Sequence, residues 1–321
     1  MNNQPIILIG GEPNSVFLEI FFKSIKKINC KSPLIIIASK NLLVQQMKKL
    51  GFSFKINLID ESNINLDKLN NKKINLVNVN YNFKKPFEKI TIKSNVYIQN
   101  SFETALKILK KKKLTKFING PISKKHFLKK KFLGITEYLA YKNNKVNKVA
   151  MLIYNKKLSV SPITTHLPLK EVHKNISKKK IINQVILISI FYRKKFKKKP
   201  RIAITGLNPH CESNYTSSEE EKVIKPAVKT LINKGYNVDG PFAADTLFMK
   251  EHSKKYDVII GMYHDQVLAP LKSLFGFDAI NITLGLPFIR VSPDHGPNES
   301  MLGKNLSDPK SLIEALKFLD K

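Results

Sequence analysis

Short runs of isoleucine, leucine and valine recur along the chain, separated by longer stretches in which apolar residues return every three or four positions. The short runs read as strands buried on both faces, and the longer period reads as amphipathic helix. Strands are expected at residues 5–9, 34–38, 55–59, 74–79, 117–119, 149–153, 201–205, 257–261 and 279–283. Helices are expected from about residue 14, and at 102–112, 179–198, 218–234 and 310–319. The first strand meets the turn Gly10-Gly11-Glu12-Pro13, and a helix and a second strand follow, which is the grammar of a βαβ unit. The alternation predicts an α/β sheet protein. Near residue 130 a Lys-rich stretch gives way to Gly134-Ile135-Thr136-Glu137, the best point for a crossing between domains. The Asn/Lys-rich patch at 67–73 reads as a surface connection.

Composition narrows the class. A chain of 321 residues with 42% apolar residues suits one large or two ordinary domains and excludes collagen-like and wholly disordered proteins. The longest apolar run, residues 185–192, falls far short of the roughly 20 residues of a membrane helix, so no membrane partner is expected. The N-terminus lacks a basic segment followed by a long apolar one, and a cytoplasmic location is expected. Cys30 and Cys211 are isolated from each other, so neither a disulfide framework nor a zinc ribbon is written here.

Lys and Arg number 56 against 24 Asp and Glu, a net charge of +32. Such an excess suggests nucleic acid, but only Arg193, Arg201 and Arg290 carry a guanidinium, the fork on which base and phosphate readers depend. The lysine runs at 110–113, 129–131, 178–180 and 197–199 lie in or beside helical stretches and read as solvated faces. No aromatic RNA motif, zinc finger or heptad array converts the charge into specific readout, so no nucleic-acid partner is expected. Attraction of anionic metabolites remains in keeping with it.

The common site signatures are absent: no G-x-G-x-x-G, P-loop, H-E-x-x-H, G-x-S-x-G or EF-hand loop occurs. Of seven histidines, three sit where a strand or loop ends in polar company: His166 in Thr164-Thr165-His166, His210 in Asn208-Pro209-His210, and His264 in Tyr263-His264-Asp265-Gln266. Imidazoles from three strand ends can converge on one divalent ion and leave positions open for substrate oxygens; singly, each reads equally as a hydrogen-bonded structural histidine. His126, His173 and His252 sit among lysines and are expected to face solvent, while His295 is a loop residue. Asp245 and Asp265 are carboxylates beside apolar sequence, able to orient ligands or accept a proton; for Asp245 a helix cap is the rival role. Lys272 and Arg290 can present positive charge to a carboxylate or phosphate, or Arg290 can pair with Asp294 or Asp278.

Read together, Gly120-Pro121-Ile122-Ser123-Lys124, His166-Leu167-Pro168-Leu169, Gly206-Leu207-Asn208-Pro209-His210, the stretch from Gly240 to Phe248, Met262-Tyr263-His264-Asp265-Gln266 and the block from Asn281 to Arg290 resemble the 4-hydroxythreonine-4-phosphate dehydrogenase family, over about residues 8 to 300. The resemblance implies an isocitrate/isopropylmalate-dehydrogenase-like fold of two α/β/α domains with a cleft between them. It places the first domain at 1–130 plus 291–321 and the second, carrying metal and dimer contacts, at 131–290. It further implies a homodimer whose interface helps build each site, and NAD or NADP bound without the glycine fingerprint. By the same resemblance His166, His210 and His264 match ligands of one divalent ion (Zn, Mg or Co). Thr136, Lys272, Asn281 and Arg290 match substrate-contacting positions, and Asp245, Asp265 and Lys272 match catalytic ones. The implied reaction oxidises the C3 hydroxyl of 4-phosphooxy-L-threonine and decarboxylates the product to 3-amino-2-oxopropyl phosphate, feeding pyridoxal phosphate synthesis.

The chain departs from the family in its loops. The family's His-Thr pair reads Ile135-Thr136, Ser15 and Phe17 replace loop glycines, Leu18 replaces a proline, residues 211–215 contain no glycine, and Pro297-Asn298-Glu299 differ. Two alternatives therefore stay open: a dehydrogenase of another phosphorylated hydroxy acid, such as 4-phosphothreonate or 4-phosphoerythronate, and a metal-binding paralogue of reduced activity.

Overall fold

Every run expected as a strand forms one in the computed structural model, which describes residues 4–128, 131–211, 216–276, 278–293 and 296–321. In chain order the strands are β1 (Ile6–Ile9), β2 (Leu34–Ala38), β3 (Ile56–Ile59), β4 (Ile74–Asn78), β5 (Lys116–Asn119), β6 (Ala150–Tyr154), β7 (Ser159–Thr164), β8 (Ile202–Thr205), β9 (Val238–Phe242), β10 (Val258–Tyr263), β11 (Ile280–Leu284) and β12 (Ile289–Ser292). The α-helices are α1 (Phe17–Lys27), α2 (Lys40–Lys49), α3 (Ser94–Lys111), α4 (Ile135–Lys142), α5 (Val172–Asn175), α6 (Lys178–Phe196), α7 (Lys225–Asn233), α8 (Ala244–Leu247), α9 (Lys250–Ser253), α10 (His264–Phe275) and α11 (Lys310–Leu319).

The chain divides into two units, Met1–Phe132 with Pro287–Lys321, and Leu133–Leu286. In the first unit the strand order is β3-β4-β2-β1-β5-β12, parallel at every pairing. The side chains of β1 are fully buried, and α1 lays Phe17, Phe21 and Phe22 into the same core. In the second unit the order is β11-β6-β7-β10-β8-β9. Here β7, β10, β8 and β9 run parallel, whereas β6 is antiparallel to both β11 and β7. Its core gathers Val160, Ala203, Ile259, Val267 and Leu271 from β7, β8, β10 and α10.

The expected cuts fall after residues 130 and 290, but the units part after Phe132 and after Leu286. The cause is β12, whose Arg290 pairs with Phe117 of β5, so the strand and Arg290 belong to the first unit. Three strands carry no clean apolar signal. β7 holds Ser159, Ser161 and Pro162, yet it is buried throughout, because Gln184 of α6 donates to Ser161 Oγ (2.7 Å) and the Pro162 carbonyl (2.9 Å) while Tyr192 OH donates to Ser159 Oγ (3.0 Å). β9 reads as a turn because it contains Gly240-Pro241, and β12 is interrupted by Arg290. The helix expected at 218–234 is a π-type turn at Glu220–Ile224 followed by α7.

Lysines 110, 111, 113, 178–180 and 197–199 are exposed, as are His173 and His252. His126, by contrast, is half-buried, because the turn Lys124–Leu128 packs on α3 and the His126 carbonyl accepts Asn95 Nδ2 at 3.0 Å. The turns after β1 and β5 meet backbone to backbone. A methyl group on Gly120 would stand 2.3 Å from the Gly10 carbonyl oxygen, so this position has no room for a side chain. Among the described residues no helix is long and apolar enough to cross a membrane.

Candidate active site

The parallel neighbours β7, β10, β8 and β9 direct their carboxyl ends to one side of the second unit's sheet, where α/β folds bind ligands. His166 follows the end of β7, His264 follows β10 directly, His210 follows β8 in a tight turn, and Asp245 follows β9 in the first turn of α8. Residues separated by tens of positions in sequence are thus rooted on adjacent strands. Strand adjacency is a property of pairing, which no local pattern reveals.

His166 and His264 come together, with ring centroids 5.9 Å apart and planes inclined by 36°. His264 Nδ1 lies 2.6 Å from Asp265 Oδ1. With Nδ1–H donating to that carboxylate, the lone pair resides on Nε2, the tautomer a metal ligand needs. His166 rests against Gly134 and Glu137: a methyl group on Gly134 would stand 2.9 Å from Glu137 Oε2 and 3.1 Å from His166 Cε1. Thr165 Oγ1 donates to Glu137 Oε1 at 3.3 Å, and Glu137 Oε2 is buried with no hydrogen-bond partner among the described residues. His210 is exposed and adopts a left-handed backbone, φ 58°. Among the described residues no three His, Cys, Asp or Glu side chains are gathered to hold a metal ion, so the structure joins two of the imidazoles and does not bring His210 to complete the group. The donors present suit a divalent ion nonetheless: imidazole nitrogens, one with its tautomer fixed, and a buried carboxylate oxygen beside the other.

Two residues not singled out from sequence hold these strand ends. Gln266 Oε1 accepts from Thr205 Oγ1 (2.8 Å) and the Met262 amide (2.7 Å), while its Nε2 donates to the Gly206 carbonyl (2.8 Å). Glu220 is 1% exposed and accepts from the Leu207 and Asn208 amides and from Asn208 Nδ2. Gln266 stands in a motif quoted for its neighbours. Glu220 lies in the run Glu219-Glu220-Glu221, which reads as a solvated acidic face and gives no local sign that one member is buried.

The remaining expected residues are distributed more widely. Asp245 is exposed and its Oδ1 accepts from the Thr246 amide at 2.8 Å; the cap of α8 is Ala243, so the capping role is not its own. Asp265 is 82% exposed. Lys272 lies eight residues into α10, about 12 Å along the axis from His264 at the usual helical rise, and is exposed. Thr136 is buried with Oγ1 3.3 Å from Thr283 Oγ1, and Ile135 is buried beside it. Asn281 pairs with Ile153, itself opposite Val160, which is four residues short of the end of β7. The structure therefore sets Asn281 about 13 Å below the strand ends rather than among the imidazoles; its Oδ1 is buried with no hydrogen-bond partner among the described residues. Arg290, in the first unit, is 4% exposed and its Nε donates to Asn119 Oδ1 at 2.6 Å. Asp294, His295 and the stretch 212–215 lie outside the described residues.

The departures in the first loop are absorbed by the core. Ser15 Oγ donates to the Glu12 carbonyl (2.6 Å) and accepts from the Phe17 amide (3.3 Å), while Phe17 and Leu18 are buried. Burial pushes the Glu12 carboxyl up from its ordinary value, against the opposing hydrogen bonds of Ser94 and Asn14.

The family model described as pyridoxal phosphate biosynthetic protein PdxA matches residues 29–319. A 4-hydroxythreonine-4-phosphate dehydrogenase of Sulfurihydrogenibium sp. (strain YO3AOP1) is 40% identical over 96% of this chain and 95% of its own length. One of Aquifex aeolicus (strain VF5) is 32% identical over 99% and 98%. Among solved structures, the 4-hydroxythreonine-4-phosphate dehydrogenase of Klebsiella pneumoniae superposes with a TM-score of 0.85 at 26% identity, covering 99% of this chain and 97% of that one.

Proposed function

The chain belongs to the family of the pyridoxal phosphate biosynthetic protein PdxA and has the family's activity, NAD(P)-dependent dehydrogenation of 4-hydroxythreonine 4-phosphate, and on that premise we propose that the carboxyl ends of β7, β10 and β8 form its catalytic floor. The observation that carries this reading is the meeting of His166 and His264, rings 5.9 Å apart, beside the strand that leads to His210. His166, His264 and His210 would hold one divalent ion, Zn, Mg or Co, which when bound supplies Lewis acidity to the oxygens of an alcohol and of the carbonyl it becomes.

The protein's own groups prepare that site. Asp265 fixes the proton on His264 Nδ1 and so keeps Nε2 as a donor of its lone pair. Glu137 and the His166 ring both pack against Gly134. Lys272 serves as an anion contact, Thr136 adds a hydroxyl, and Asp245 and Asp265 provide carboxylates for proton transfer. The overall change is loss of hydride from C3 to the nicotinamide, release of the hydroxyl proton, departure of carbon dioxide from the keto acid, and uptake of a proton at C2 to leave 3-amino-2-oxopropyl phosphate. A second copy of the chain is the proposed partner. Leu133, Tyr141 and Val146 are exposed in the second unit, and Leu133 and Val146 line a cavity of about 310 Å³ there.

The test combines purified protein, each of the three metals, NAD or NADP, and the substrate, with 4-phosphothreonate and 4-phosphoerythronate as competing substrates, and follows nicotinamide absorbance. The expected result is reduction with 4-hydroxythreonine 4-phosphate and, in His210→Ala, a loss of about 100-fold or more in kcat/KM with little change in thermal midpoint. Normal turnover by His210→Ala removes His210 from the mechanism. Preference for either competitor assigns a shifted substrate, for which the apolar Ile135 is the first residue to examine.

A further inference from the structure

We propose that Glu220 is the positioning residue of this centre: its buried carboxylate folds the turn at residues 206–211 around itself and thereby sets the direction of His210. The inference rests on His210 serving as a metal ligand, as proposed above, but its structural half stands on bonds already formed.

Oε1 of Glu220 accepts two consecutive backbone amides, Leu207 at 2.7 Å and Asn208 at 2.9 Å, and Oε2 accepts Asn208 Nδ2 at 2.9 Å. The turn then closes with the Cys211 amide donating to the Asn208 carbonyl at 3.2 Å. Gly206 lets the segment approach this closely, since a methyl group there would stand 2.5 Å from Cys211 Sγ and 3.0 Å from Glu220 Oε1. His210 and Cys211 both occupy the left-handed region, φ 58° and 57°, which is uncommon for residues other than glycine. Two such residues in succession persist only where surrounding bonds over-determine them. The carboxylate supplies those bonds from outside the turn. Burial pushes the Glu220 carboxyl up, yet the donors of Asn208, its own backbone amide and that of Leu207 together outweigh it and hold it below its ordinary value, as expected of a group that works as an anion. A glutamine in its place keeps shape and size but loses the charge, and must turn an N–H toward the Asn208 amide group or toward the two backbone donors.

The experiment compares native protein, Glu220→Gln and Asn208→Ala, each stripped of metal. Hydrogen exchange is read at the Leu207 and Asn208 amides, and Co2+ is then titrated, with affinity and visible spectrum recorded. In Glu220→Gln those two amides should exchange about tenfold or more faster while the strand amides of β8 and β10 stay unchanged, Co2+ should bind about 10- to 100-fold more weakly, and its spectrum should change. Asn208→Ala, which keeps both backbone donors, should show the same effects at a smaller size. Native exchange rates at both amides, or native Co2+ affinity and spectrum, in Glu220→Gln overturn the proposal. Uniform acceleration across the unit also overturns it, by making Glu220 a general packing residue. If native protein takes up no Co2+, the metal reading of the site fails, and the exchange rates still decide whether Glu220 sets the turn.

Discussion

Replacing Gly134 with alanine separates the site from the fold. The backbone there is extended, φ −162°, which alanine adopts freely. As the cap of α4, Gly→Ala costs about 0.5–1 kcal/mol, and the stiffer unfolded chain returns about 0.4–1 kcal/mol, so the net change in stability stays within about 1 kcal/mol. The new methyl group, however, stands 3.1 Å from His166 Cε1, 3.2 Å from Nδ1 and 2.9 Å from Glu137 Oε2. Ordinary contact begins near 3.4 Å, so the imidazole must retreat by 3.4 − 3.1, about 0.3 Å, and the carboxylate by 3.4 − 2.9, about 0.5 Å. A displacement of about 1 Å in a catalytic array costs about 100-fold, and a third to a half of that displacement corresponds to about 5- to 10-fold in kcat/KM, or about 1–1.4 kcal/mol. Steady-state kinetics with saturating metal, alongside thermal unfolding, read the two effects separately. Unchanged kcat/KM with a normal melting curve would refute the placement of His166 at the reacting centre, whereas a large loss of stability would refute the claim that only side-chain atoms must move.

Two further outcomes follow from the first unit. Gly120→Ala drives a methyl group into the Gly10 carbonyl oxygen, a backbone atom that cannot rotate away, and should cost more than about 2 kcal/mol in urea unfolding. Glu12→Gln tests the buried carboxyl: because its pKa is raised on folding, the folded protein holds the proton more firmly than the unfolded chain, and stability falls as pH climbs past the ordinary value of 4.5. The variant should therefore unfold at a higher temperature than native protein at pH 7.5, with the advantage shrinking as the pH is lowered toward 4; an advantage independent of pH would contradict the assigned cause.

How much was legible in the chain depends on what each residue answers to. β1, β2 and β10 announce themselves because burial on both faces demands apolar side chains at every position. β7 does not, since its buried serines are satisfied by the Met151 and Asn155 carbonyls and by Gln184 and Tyr192 of α6, contacts that exist only after folding. The candidate histidines stood out as polar residues at the ends of apolar runs, but their shared location follows from the β7-β10-β8 pairing, which periodicity does not encode. Arg290 follows an apolar run that continues from β11 and gives no local sign of a boundary, whereas the pairing of β12 with β5 places it in the first unit.

Gln266 shows why a neutral amide stands two positions after His264. Its one side chain meets demands of opposite polarity, receiving protons from Thr205 and the Met262 main chain and returning one to the Gly206 carbonyl. A carboxylate has nothing to give that oxygen, and an ammonium has nothing to take, so the suture between the second unit's neighbouring edges admits a single chemical type. Tension arriving at either histidine-bearing segment is passed to the other through that stitch.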